Sequence, residues 1–171
     1  LEQRLVTKIV KFLLLAYLVA FSQTILANIT SILGITPDFG MIIIFLIVAR
    51  QEFQVAFPTV LMVGLIIDAL NPQLMGLGTA VRFALAVAIY EIRLHVDIEQ
   101  LSARLYLLIG AEVCFQLLYQ MVANSFDFGI LNTIYLEVSL PTLAYTIAVG
   151  FVVFVASDLE LKLGIRRSTN G

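Results

Sequence analysis

Four ionisable side chains fall in or at the edge of long apolar runs of this sequence: Asp68, Arg82, Glu112 and Glu137. A charge near the centre of a bilayer costs ~2.5–3.5 kcal/mol on insertion scales, so such groups face the protein interior, pair with one another or reach the surface. At ~1.5 Å of rise per residue, Arg82 lies roughly 12 Å from the outer end of a helix beginning at Leu74. Asp68 sits just before the Asn71-Pro72 turn and Glu137 near the outer end of its own run, so Arg82 can reach outward to either. Glu112 enters from the opposite side and lies deeper. The simplest chemistry for this set is an Arg82–Asp68 ion pair that fixes two helices around the turn. A proton-coupled path through Glu112 and Arg82 is the competing use. Transport paths tend to have broken helices with glycines at the midplane, whereas Gly76 and Gly78 cluster at the outer turn.

Other chemistries find little material. No GxSxG, HExxH, CxxC, Walker or paired His–carboxylate spacing occurs, so catalysis, cofactor binding and metal binding are not expected. Intramembrane hydrolysis would need two aspartates on facing helices, and only Asp68 comes within reach of a span centre. His95 is a lone histidine in a polar stretch. Cys114 is the single cysteine, and in its apolar run it reads as a buried small hydrophobe. A net charge of −2 leaves no basic stripe for nucleic acid.

The elements that must carry these residues are set by composition. Hydrophobic residues make up 61% of the 171 positions and charged residues 13%, against about half and about a quarter in soluble domains. Mean hydropathy is +1.02. The expectation is an all-α integral-membrane protein of one domain, 1–171, with six spans at about 12–33, 39–49, 55–70, 74–92, 105–122 and 133–156. The first run is long enough to span and lacks a small-residue cleavage site, so it reads as a span and not as a signal peptide. It carries Ser22, Gln23, Thr24 and Asn28, which suggests a protein-facing side, and a small-residue pair at Ala16 and Ala20. Gly34 and Pro37 end it, and Asp38 is placed to cap the next helix.

The second and third runs are short, and either two spans or a re-entrant hairpin would accommodate them. Ala80, Ala84 and Ala88 recur every four residues in the fourth run and predict a close helix–helix contact. The charged stretch 91–104 reads as an amphipathic connector, and Pro141 predicts a kink in the last span.

Lysine and arginine orient the bundle. With six spans, Arg4, Lys8, Lys11, Arg50, Arg93, Arg104, Lys162, Arg166 and Arg167 all fall on the side of the termini. The opposite turns, 31–38, 71–77 and 124–132, hold no basic residue, and the remaining one is Arg82 itself. Basic residues mark cytoplasmic loops, so both termini are expected in the cytoplasm. The same count selects two short spans over a hairpin.

Thr36-Pro37-Asp38-Phe39 opens an apolar run, followed by Gly64-Leu65-Ile66-Ile67-Asp68-Ala69-Leu70 and by Pro72 to Gly76. This order resembles the rod shape-determining protein MreD family. That family shows a Pro-Asp before a short helix, a Gly-Leu-x-x-Asp-x-Leu element and a Pro-Leu-Gly turn. The turn departs here, since Pro72-Gln73-Leu74-Met75-Gly76 has extra residues. The motifs cover about residues 36 to 80, and the flanking helices agree in character only. The resemblance implies a non-catalytic scaffold in the bacterial cytoplasmic (inner) membrane. Such a scaffold binds the single-span protein MreC and helps couple the MreB filament to peptidoglycan synthesis by RodA and its transpeptidase partner. It also implies a compact bundle similar to the substrate-binding S-components of energy-coupling-factor transporters, so a vitamin-binding S-component is the alternative function.

Overall fold

A computed structural model describes residues 34–70, 76–98, 100–123 and 135–169, together with Leu14, Tyr17, Leu18, Phe21, Ile25 and residues 29–31; side chains are described to Leu159, except those of Tyr135 and Leu136. The small-residue pair at Ala16 and Ala20, the polar residues 22–24 and 28, Pro72, and the turn 124–132 lie outside the described residues. The regular elements among the described residues are helical, with no strand.

Helix α1 spans Phe39–Arg50, α2 Phe53–Ala69, α3 Leu77–Arg93 and α4 Leu101–Ala123; a π turn, Tyr135–Ser139, leads into α5, Leu140–Thr169. Leu101–Ala123 and Glu137–Leu159 are long and apolar enough to cross a membrane. Helices α1 and α2 are apolar but shorter. The 12 residues of α1 reach only about 18 Å at the α-helical rise, well under the ~30 Å of a hydrocarbon core.

The position of α1 accounts for its uniformly apolar surface. It packs against α2, α3, α4 and α5, and Met41, Ile42, Ile44, Phe45 and Val48 are buried almost completely. A helix apolar on every side belongs in the centre of a bundle. Phe45 meets Phe154 of α5 with ring centroids 5.2 Å apart. Glycines set the closest approaches around it. A Cβ on Gly64 of α2 would sit 2.9 Å from Thr79 Cγ2 of α3, and one on Gly150 of α5 would sit 2.5 Å from Leu108 of α4.

Polarity runs opposite to that of a soluble protein. Asp38, Asp68, Thr79, Arg82, Glu112 and Thr146 are buried, while Tyr106, Val152, Leu65 and Met62 are exposed.

Several expectations change. Ala80, Ala84 and Ala88 are all exposed, and among the described residues α3 buries Gly78, Thr79, Arg82, Ala86 and Ile89 instead. Arg82 and its partners dictate that rotation, because a buried guanidinium outweighs any preference of alanine for contact. Cys114 is exposed on the apolar outside of α4, since the inner face of that helix is taken by Leu108, Ala111, Glu112 and Phe115. The connector expected over 91–104 is shorter at both ends, since α3 runs to Arg93 and α4 starts at Leu101. Ahead of Pro141, a wider π turn ends two residues before it. That is where the missing proline N–H would otherwise break the ladder. Helix α5 continues through Ser157 to Thr169, beyond the expected end of the last span.

Candidate functional site

The buried polar residues converge at the end of the bundle where α1 begins, α2 ends and α3 begins. Asp38 caps α1: its Oδ1 accepts from Met41 N at 2.9 Å, satisfying one of the orphan amides of a helix start. Its own N–H donates to Thr146 Oγ1 of α5 at 2.9 Å, and that hydroxyl donates in turn to Thr142 O.

Asp68 occupies the last turn of α2, where a carboxylate opposes the helix dipole. The start of α3 compensates. Asp68 Oδ2 accepts from Gly76 N at 2.9 Å, Thr79 N at 2.8 Å and Thr79 Oγ1 at 2.8 Å. It therefore caps a helix that starts nine residues later. Gly76 takes φ of 93° at that start, a left-handed conformation that favours glycine.

Arg82 joins the two carboxylates. Its Nη2 lies 3.0 Å from Asp38 Oδ2 and its Nη1 3.6 Å from Asp68 Oδ1. The first is a hydrogen-bonded ion pair; the second is a looser electrostatic contact. The guanidinium carbon stands 4.2 Å from the centroid of the Phe115 ring of α4, a cation–π arrangement. Gly78 leaves room for all this: a Cβ there would lie 2.4 Å from Asp68 Oδ1 and 2.9 Å from Arg82 Nη1. One side chain on α3 thus binds the starts or ends of two other helices and an aromatic ring on a third.

Glu112 belongs to the same neighbourhood. It is fully buried, its Oε1 accepts from Gln116 Nε2 at 2.9 Å, and it interacts electrostatically with Asp38 and Arg82. Glu137 does not: it is exposed in the π turn. Of the residues singled out by type, the structure brings together Asp38, Asp68, Arg82 and Glu112, with Gly64, Gly76 and Gly78 making the approach possible. Pro37 is buried beside Asp38. Thr79, Phe115, Gln116 and Thr146 are additional members. Thr79 alone had a visible signal, as a hydroxyl three residues before the arginine in an apolar run.

The far ends of these helices carry a second polar set. Arg93 Nη1 donates to Val48 O at 2.6 Å and Gln51 O at 2.8 Å, closing the C-terminus of α1. Arg104 donates to Ile98 O and to Asp158 Oδ1, the latter at 2.7 Å, and Arg50 donates to Ser157 Oγ. These three basic residues gather at the end of α1 opposite Asp38.

Chemically, the first cluster is a clamp. It holds helices in register through one cation, two capping carboxylates and a third carboxyl group beside them. A comparison with protein-family models, with curated proteins and with solved structures gives no match to this chain.

Proposed function

We propose that this chain is a multi-pass membrane scaffold with six spans and both termini in the cytoplasm. In this reading it serves the bacterial cell-elongation machinery, docks an MreC-like single-span protein and helps couple MreB to RodA and its transpeptidase partner. The observation that carries the docking role is the outward face of α3. At about 100° per residue, Ala80, Ala84 and Ala88 lie roughly opposite Arg82 around the helix, and all three are exposed. The clamp turns this smooth face outward. Small residues there let a second helix approach closely, which is how helices associate in lipid. Glu91 lies on the same face at the end near Arg93 and is exposed, so it is placed to meet a basic residue flanking a partner span.

The membrane reading is supported by the two long apolar helices and by the apolar exterior over a polar interior. The orientation is supported by Arg50, Arg93 and Arg104 meeting at one end of the bundle, with the acidic caps Asp38 and Asp68 at the other. The cell-elongation assignment rests on the motif residues Pro37, Asp38, Gly64 and Asp68, each of which has a place in the clamp or in the α2–α3 contact.

Co-purification from native membranes tests the reading. A single-span partner with its elongation-complex neighbours is expected with the wild-type chain and is expected to be lost with Ala84→Trp while the variant still folds. A chain that recruits no elongation protein and instead retains a water-soluble vitamin would favour the S-component function.

A further inference from the structure

Two atoms at the heart of the clamp have no hydrogen-bond partner within the protein, Arg82 Nε and Glu112 Oε2. Arg82 is 6% exposed and Glu112 0%, so bulk solvent does not satisfy them. Buried polar atoms of native proteins are overwhelmingly paired, and an orphan is destabilising. Two in one neighbourhood call for a shared cause.

Their placement supplies it. Phe115, which carries the Arg82 guanidinium on its ring, follows Glu112 by three residues and shares its face of α4. Leu108 of α4 lies against Gly150 of α5. Counting four residues further along α4 and four back along the antiparallel α5 brings Glu112 level with Thr146, the partner of Asp38 N. Arg82, Glu112, Thr146 and Asp38 therefore occupy one layer of the bundle. The orphans are also complementary, an N–H donor and a carboxyl oxygen. The guanidinium cannot swing freely to pair with Glu112 directly, because Nη1 and Nη2 face Asp68 and Asp38 and the group is stacked on Phe115.

We propose that Arg82 Nε and Glu112 Oε2 hold a buried water molecule between α3 and α4. The water accepts from Nε–H and bonds to Oε2, which meets the requirement that a buried water have polar partners on two or more sides. It extends the clamp from α1, α2 and α3 to the carboxyl group of α4, on the side of α3 away from the exposed alanines.

A structure of the wild-type protein in lipid, at a resolution that resolves ordered water, tests this. Density is expected within hydrogen-bonding distance of both atoms, ~2.7–3.2 Å. Glu112→Gln is expected to keep the water, because an amide still bonds it, and Glu112→Leu is expected to lose it. A direct Nε–Oε2 bond, a dry gap in the wild type, or water retained in the leucine variant would overturn the proposal. Should Glu112→Leu fail to fold, the wild-type and glutamine structures decide alone.

Discussion

Asp68 and Thr79 face each other across the turn between α2 and α3, and one oxygen of Asp68 takes both the backbone N–H and the hydroxyl of Thr79 at 2.8 Å. The same carboxylate offers its other oxygen to Arg82. Helix capping and charge neutralisation are thus done by a single side chain, and its loss removes both.

Asp68→Ala is accordingly expected to destabilise the protein by about 3–5 kcal/mol, the usual cost of stripping one partner from a buried ionic group. Asp68→Asn should lose less, because the amide oxygen still caps α3. Thermal unfolding in detergent distinguishes them. Equal midpoints for the wild type and Asp68→Ala would show that the clamp contributes nothing.

Glycine substitutions separate crowding from helix propensity. Gly78→Ala places a methyl group 2.4 Å from Asp68 Oδ1 and should cost about 1–3 kcal/mol, as overpacking does. Gly110→Ala, on α4 with nothing within 4 Å, should be neutral or gain up to about 1 kcal/mol from propensity. Unfolding midpoints measured side by side check the sign of each.

Much of the clamp was legible before the structure. Asp38 reads as a helix cap because it follows Gly34 and Pro37 and precedes an unbroken apolar run, and it does cap α1. Asp68 and Arg82 point to each other because they are fourteen positions apart across a turn. The second carboxylate on Arg82 was not legible: Asp38 is 44 residues away, and only tertiary packing brings it there. Glu112 reaches the cluster for the same reason. The alanine stripe does not say whether its contact lies within the chain or with a partner, because a small apolar side chain suits a buried helix contact and an outer docking face equally. Cys114 does mislead, being apolar enough for either face of α4.

Orientation is open to chemical labelling. With Cys114 replaced by serine, Ser31→Cys should react with a membrane-impermeant maleimide added to spheroplasts, and Val96→Cys should react only after permeabilisation. Both native positions are exposed, so access and not burial governs the outcome. The reverse pattern would invert the bundle, and labelling of both from outside would break the six-span layout.

Phe115→Leu should weaken the hold on Arg82 while leaving its ion pairs in place, at a cost of about 1–2 kcal/mol from the lost cation–π contact. Combining it with Arg82→Met in a double-mutant cycle isolates the coupling. Strict additivity would mean that the ring serves packing alone.

The central claim, that the clamp presents one face of α3 to a partner span, is tested most directly by photocrosslinking in native membranes. Photoreactive residues placed singly at positions 80, 84 and 88 should each capture the same single-span protein, whereas one at the exposed Tyr106 of α4 should not. Capture only at Tyr106, or no single-span adduct at any of the three alanine positions, would contradict the account.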